Sequence, residues 1–205
     1  SFAPDFMPLL DRGSEFSHKW IALCGSHLKV GIRDPIKVYE YLNRFYVLEG
    51  NKRVSVLKYF DAVSVTAAVT RLVPRKDPED PENRLYYEFM EFHKKTGINN
   101  IWMSREGGFR RLLEHMDRYR PSSGNDADRY REIGNSVYYR FRRLYHKAGG
   151  ARLSLTTGDA FLAYLDLYGM PVDVDPKLMG RRLRELLVKL SAEDRREAVE
   201  IRTEP

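Results

Sequence analysis

The spacing of apolar residues changes along the chain, and each change marks an element. Phe16, Trp20, Leu23 and Leu28 fall near one stripe, which predicts a helix that Ser14 or Ser17 caps and Gly31 ends. After Pro35 the runs IKVYEYL and FYVLE are short and rich in β-branched and aromatic residues, separated by Asn43-Arg44, the pattern of a hairpin. In NKRVSVLKYF, Val54, Leu57 and Phe60 share one side at helical spacing, and VSVTAAVTRLV then alternates as a strand from Val63 to Val73.

The stretch PRKDPEDPEN, with three prolines and six charges, predicts a solvated loop and is the best internal boundary. Beyond it the spacing predicts helices from Leu85 to Lys95 and from Gly108 to Tyr119, with the apolar NIWM between them as a candidate strand. Asn125 to Lys147 reads as one long helix carrying Tyr130, Ile133, Val137, Phe141 and Leu144, stopped by Gly149-Gly150. Thr156 with Asp159 three residues on forms a capping box for the next helix. A last helix is expected from Pro176 to Leu190, with the charged tail after it fraying. Strands first and helices later indicate an α+β fold, a small mixed sheet with a helical C-terminal half. The expected division is a core over residues 1–105 and a helical extension over 106–205 packed on it, or the two as one compact domain.

Composition adds little to the fold but narrows the chemistry. With 42% hydrophobic residues, 31% charged, 13 Tyr and 10 Phe, the 205 residues have the makings of a substantial core. The net charge of +6 favours a polyanionic partner such as a nucleotide or DNA. Cys24 is the only cysteine, so internal disulfides and thiolate clusters for zinc are excluded, and a reducing, cytoplasmic setting is the expectation. No apolar run approaches the roughly 18 residues needed to span a bilayer.

Candidate chemistry concentrates in Glu49-Gly50-Asn51-Lys52-Arg53, where a strand ends in glycine and runs into a helix. A helix start carries unpaired N–H groups and the positive end of the dipole, which together attract anions. Gly50 permits close backbone approach, Asn51 can cap the helix, and Lys52 and Arg53 can hydrogen-bond phosphate oxygens. Glu49 repels phosphate unless it holds a divalent cation or acts as a general base. The plainer alternative is an Asn-capped helix with Glu49 paired to Arg53 or Lys52.

The run DPIKVYEYLNRFYVLEGNKRVSVLKYFDAVSVTAAV resembles the ParB/sulfiredoxin-like superfamily. Pro35-Ile36-Lys37-Val38, Tyr46-Val47-Leu48-Glu49-Gly50, Arg53 and the helix through Phe60 match its pattern in order and spacing, over roughly residues 33–73. The resemblance implies a small sheet whose strand-turn-helix binds nucleotide, ATP or CTP with Mg²⁺, through the backbone at Gly50 to Lys52 and the side chain of Arg53. Sulfiredoxins are similar but place Cys where this chain has Asn51 and His where it has Lys52, so that activity is contradicted. ParB CTPases usually carry an acid at the position of Asn51 and Arg at that of Lys52. An acid before the glycine is closer to nuclease-like and kinase-like members and keeps Glu49 as the candidate catalytic residue and metal ligand. More loosely, the first half is similar to bacterial ParB-like domains in front of basic-membrane-protein-type ABC transporter substrate-binding modules, which implies a domain of a longer protein, either enzymatic or an interaction module.

Three other stretches carry weaker signals. SREGGFRRLLEHM offers a second glycine pair before a basic helix, with Arg105, Arg110 and Arg111, as a second phosphate contact or a plain connector. YYRFRRLYHKAGGAR interleaves Arg140, Arg142, Arg143 and Lys147 with aromatics, either a nucleic-acid surface or the wet side of a helix anchored by Tyr138, Phe141 and Tyr145. His18, His27, His93, His115 and His146 are scattered without metal-ligand spacing, and Asp159 is explained as a cap.

Overall fold

The structure is a computed structural model that describes residues 1–62, 64–172 and 175–203, the segment 194–203 as helix backbone only. The fold is α+β, and the chain divides into two compact units, Ser1–Arg75 and Lys76–Pro205. The boundary falls inside the proline-rich loop rather than near residue 105.

In the first unit, helix α1 (Glu15–Val30) starts where Ser14 Oγ accepts from Ser17 N–H and ends at Gly31 with φ 75°, both as the sequence predicts. Leu28 does not join the buried stripe; it is 71% exposed, whereas Trp20 is buried and donates from Nε1 to Ser55 Oγ at 2.9 Å. Strands β1 (Ile36–Tyr41) and β2 (Arg44–Glu49) form the hairpin, with Leu42 (φ 48°) and Asn43 (φ 59°) as its turn, so Arg44 belongs to the strand. Two left-handed residues give the turn the twist that strands need, and Asn tolerates that backbone best. Helix α2 (Asn51–Tyr59) buries Ser55, Val56 and Leu57, a face rotated from the expected Val54 and Phe60. Strand β3 (Ala67–Arg71) is shorter than the expected strand, whose first residue, Val63, lies outside the described residues.

The sheet order is β2-β1-β3, with β1 antiparallel to β2 and parallel to β3. Ile36, Val38 and Glu40 alternate inward on β1 while Lys37, Tyr39 and Tyr41 face solvent. Glu40 is a buried acid opposite Arg71 on β3, whose Nε lies 2.5 Å from its carboxylate, and it also accepts the Asn43 N–H at 2.7 Å. A buried carboxylate is tolerable only with such partners.

The second unit opens with α3 (Pro81–Thr96), capped by Asp80 with Pro81 in its first turn and ended by Gly97 at φ 71°. Residues 98–103 form no strand; Ile98, Ile101 and Met103 are instead buried as an extended plug, so NIWM supplies core rather than sheet. Helix α4 (Gly108–Asp117) follows. Phe89 and Phe92 of α3, Trp102 and Phe109 of α4 pack with ring centroids 5.1–5.8 Å apart. That aromatic cluster holds α3 in the second unit, against the expected 1–105 division, and each such ring pair adds about 1 kcal/mol beyond burial.

The expected long helix is present but interrupted. A 3₁₀ turn (Asp126–Asp128) leads into α5 (Arg129–Glu132), a π-helical turn (Ile133–Val137) and α6 (Tyr138–Lys147). The π turn sets Gly134 against Ile98, close enough that a Cβ would lie 3.2 Å from Ile98 Cγ1. Helix α7 (Thr157–Tyr168) carries the predicted capping box, complete in both directions between Thr156 and Asp159. Its start is docked on the plug, because Thr156 Oγ1 donates to the Trp102 carbonyl at 2.7 Å. Helix α8 (Pro176–Thr203) runs on through the charged tail that was expected to fray.

Candidate functional site: the glycine turn before α2

The structure gathers all five sequence-selected residues of the turn at the junction of β2 and α2. Gly50 occupies the cap position with φ 105°, a left-handed backbone that only glycine adopts cheaply. Its lack of a side chain has a second cause, since a Cβ there would stand 2.5 Å from Ile36 Cγ2. The close approach that glycine permits is therefore to the unit's own core.

Asn51 does not cap α2. It is already helical, one position too late to reach the orphan amides, and no side-chain cap hydrogen bond is made at Gly50. The first amides of α2 consequently lack the side-chain oxygen that Ser14 supplies to α1, Asp80 to α3 and Thr156 to α7.

Three cations surround this helix start. Arg53 donates from Nη1 to the carbonyls of Asp34 (3.1 Å) and Pro35 (2.7 Å), tying the entry of β1 to α2. Lys52 places Nζ 5.5 Å over the Phe16 ring of α1. Lys37 sits opposite Glu49 in the sheet register and contacts its carboxylate at 2.7 Å, nearer than Arg53 at 3.5 Å. The i,i+4 partner expected for Glu49 is thus the weaker of the two. The Lys37 hydrogen bond and charge, with a smaller contribution from Arg53, hold the Glu49 carboxyl below its ordinary range. Among the described residues no three His, Cys, Asp or Glu side chains gather in a metal-holding group.

The second glycine turn, Gly107-Gly108 before α4, has a different fate. Gly107 adopts φ 80°, and its N–H donates to both oxygens of Glu88 at 2.8 and 2.9 Å. Beside it lies a cavity of about 610 Å³, lined in part by Arg105, Arg110, Arg111, Asp159 and Asp166, that sequence reasoning did not anticipate. Two of its carboxylates already have partners: Asp166 takes Arg111 at 2.5 Å and His115 at 2.9 Å, while Asp159 accepts from the N–H groups of Ser104 and Thr156. No local sequence signal could reveal it, since its walls come from segments 50 or more residues apart.

On α6, Phe141 and Tyr145 are buried and stacked, as the anchoring alternative predicts, while Arg142, Arg143 and Lys147 are exposed. Arg140 is half-buried. Helix α6 contains no Asp or Glu. His146 at its end lies 3.0 Å from Thr157 Oγ1, and partial burial followed by the charge of Arg142 pushes its pKa down.

Compared with family models, with curated proteins and with solved structures, the chain matches none. Among the described residues no helix is long and apolar enough to cross a membrane.

Proposed function

We propose that the Ser1–Arg75 unit binds a phosphate-bearing ligand, a nucleoside triphosphate such as ATP or CTP with its Mg²⁺, at the amide end of α2. The observation that carries this reading is a nine-residue helix that begins at a left-handed glycine without a side-chain cap and is ringed by Lys37, Lys52 and Arg53. Backbone amides of Asn51 to Arg53 would take phosphate oxygens, and Lys52 and Arg53 would add charge-assisted bonds. Glu49, held by Lys37, keeps that lysine at the mouth of the turn rather than acting on phosphorus. The reading is accordingly of binding and release, with hydrolysis or phosphoryl transfer left without a base.

Isothermal titration with Mg·ATP, Mg·CTP and inorganic phosphate tests it. Millimolar or tighter binding that Lys52→Glu weakens is expected; Arg53→Ala is the harsher variant because Arg53 also latches Asp34 and Pro35. If no nucleotide or phosphate binds at millimolar concentration, the turn is architecture only, as in a non-catalytic interaction domain of a larger transporter-associated protein.

A second reading rests on the acid-free face of α6, where exposed Arg142, Arg143 and Lys147 would neutralise DNA phosphates. A duplex-shift assay across a salt series is expected to show a slope that Arg142→Ala with Arg143→Ala lowers by about 2. Binding that ignores salt removes this reading.

A further inference from the structure

The outer face of the three-stranded sheet, opposite the side that buries Ile36 and Val38, is built unlike a surface meant only for water. Tyr39 and Tyr41 project from the central strand, 36% and 39% exposed, and Tyr46 stands directly across from Tyr39 on β2, 53% exposed. Residues paired across a ladder share a face, so Arg44 lies beside Tyr41, Thr70 beside Tyr39, and Lys37 with Glu49 closes the row. Among the described residues none of the three tyrosine rings stacks on another aromatic ring.

We propose that this face is a stacking platform for single-stranded nucleic acid, with Tyr39, Tyr41 and Tyr46 receiving bases and Lys37 and Arg44 flanking the sugar-phosphate path. Two residues apart on a strand, Tyr39 and Tyr41 are separated by about 6.7 Å. That spacing suits bases splayed apart in an extended strand rather than stacked at the duplex rise of about 3.4 Å. A shallow sheet face accepts such bases but cannot enter a duplex groove, and aromatic faces bind every base without needing its sequence. Charge favours the same occupant: eleven Lys and Arg stand against seven Asp and Glu between Ser1 and Arg75. The platform shares Lys37 with the turn before α2, but its tyrosines do not belong to that turn, and it stands whether or not the turn binds phosphate.

The test is fluorescence anisotropy of labelled twelve-nucleotide oligouridylate, oligothymidylate and a twelve-base-pair duplex with the 205-residue chain at low salt. Saturable micromolar binding of the single strands, tighter than the duplex, is expected. Tyr39→Leu and Tyr46→Leu, which keep a strand-forming apolar side chain without a ring, should each weaken it roughly 5- to 150-fold. Tyr39→Phe and Tyr46→Phe should leave it within about twofold, as stacking needs the ring and not the hydroxyl. Tighter binding of the uridylate identifies RNA as the occupant, and equal binding makes the platform indifferent to the sugar, both in its favour. The proposal fails if no single strand binds at 0.1 mM protein, at roughly the weak end of non-specific affinities. It also fails if the leucine variants bind normally while Arg142→Ala with Arg143→Ala abolishes binding. Self-association in sedimentation velocity that Tyr39→Arg abolishes would overturn it too, making the face a contact between copies.

Discussion

Among the described residues two α-helices, α2 and α4, open on a left-handed glycine with no side-chain cap, and their surroundings diverge. At Gly107, before α4, the turn's N–H is held by both oxygens of Glu88, reached from α3. At Gly50, before α2, the neighbouring carboxylate of Glu49 lies 2.7 Å from Lys37 and 3.5 Å from Arg53 instead of on a backbone N–H of the turn. One turn is closed by an anion of the protein's own, and the other retains positive charge at an uncapped helix end. The same local motif thus takes an internal carboxylate on its glycine N–H in one unit and none in the other. What separates them is where the nearest carboxylate is anchored, a property of packing partners rather than of the turn.

The comparison breaks most visibly at the glycines. Gly50→Ala combines a left-handed Cβ penalty with a 2.5 Å clash on Ile36 and should cost about 3 kcal/mol. Gly107→Ala meets nothing nearer than Arg110 Nη2 at 3.7 Å, leaving the backbone penalty of about 1–2 kcal/mol. Denaturant midpoints of the two variants check the ordering, and equal losses would mean that Ile36 yields freely.

Removing the internal anion should come next in size. Glu88→Ala leaves the Gly107 N–H without its carboxylate and should cost about 1–2 kcal/mol. The same variant should acquire phosphate-dependent amide shifts around Gly107 that the parent lacks, a direct check by NMR titration. Should phosphate leave Gly107 untouched in both proteins, the parallel between the turns is false.

Glu49→Gln addresses the open turn and should act on binding more than on stability. The Lys37 pair is exposed, so its loss should leave the denaturant midpoint nearly unchanged. With Lys37 released and a negative charge removed, phosphate affinity at the α2 turn should rise a few-fold in low-salt calorimetry. A fall in affinity would assign Glu49 a positive role in the site, such as holding Mg²⁺.

The smallest effect concerns pH. Glu49 has a folded-state pKa lowered by Lys37, so its contribution is present above the unfolded value of about 4.3 and is lost as pH falls through the folded value. His146 is also depressed, by partial burial and then Arg142; its neutral form is favoured on folding, so stability declines as pH falls below its unfolded value of about 6.5. Denaturation at pH 7.5 and 5.5 should show a slightly larger loss for the parent than for His146→Gln.

Much of the fold was legible because its signals are local. Ser14, Gly31, Thr156 and Asp159 act within a few residues of themselves, and the structure uses each as its type dictates. The hairpin and the α2 turn were equally readable from β-branched runs and a glycine. The sequence misled where a local rule had a rival from elsewhere in the chain. NIWM has strand composition, yet no strand lies beside it, and its side chains fill the core under α7. Asn51 has capping chemistry, but the helix begins at Asn51 itself, one residue too early for it to be the cap. Glu40, for which the sequence offers no signal, is buried on an inward strand position with Arg71 as a partner.

For the site, residue order alone was enough to place Glu49, Gly50, Lys52 and Arg53 in one turn at a helix start, since backbone geometry demands little more than a glycine between a strand and a helix. Only the folded sheet decided their roles. The β1–β2 register brings Lys37 across to pair with Glu49, while α1 offers Phe16 beneath Lys52. The same register lines up Tyr39, Tyr41 and Tyr46 on one face, because alternation along a strand and pairing across it select which side chains become neighbours.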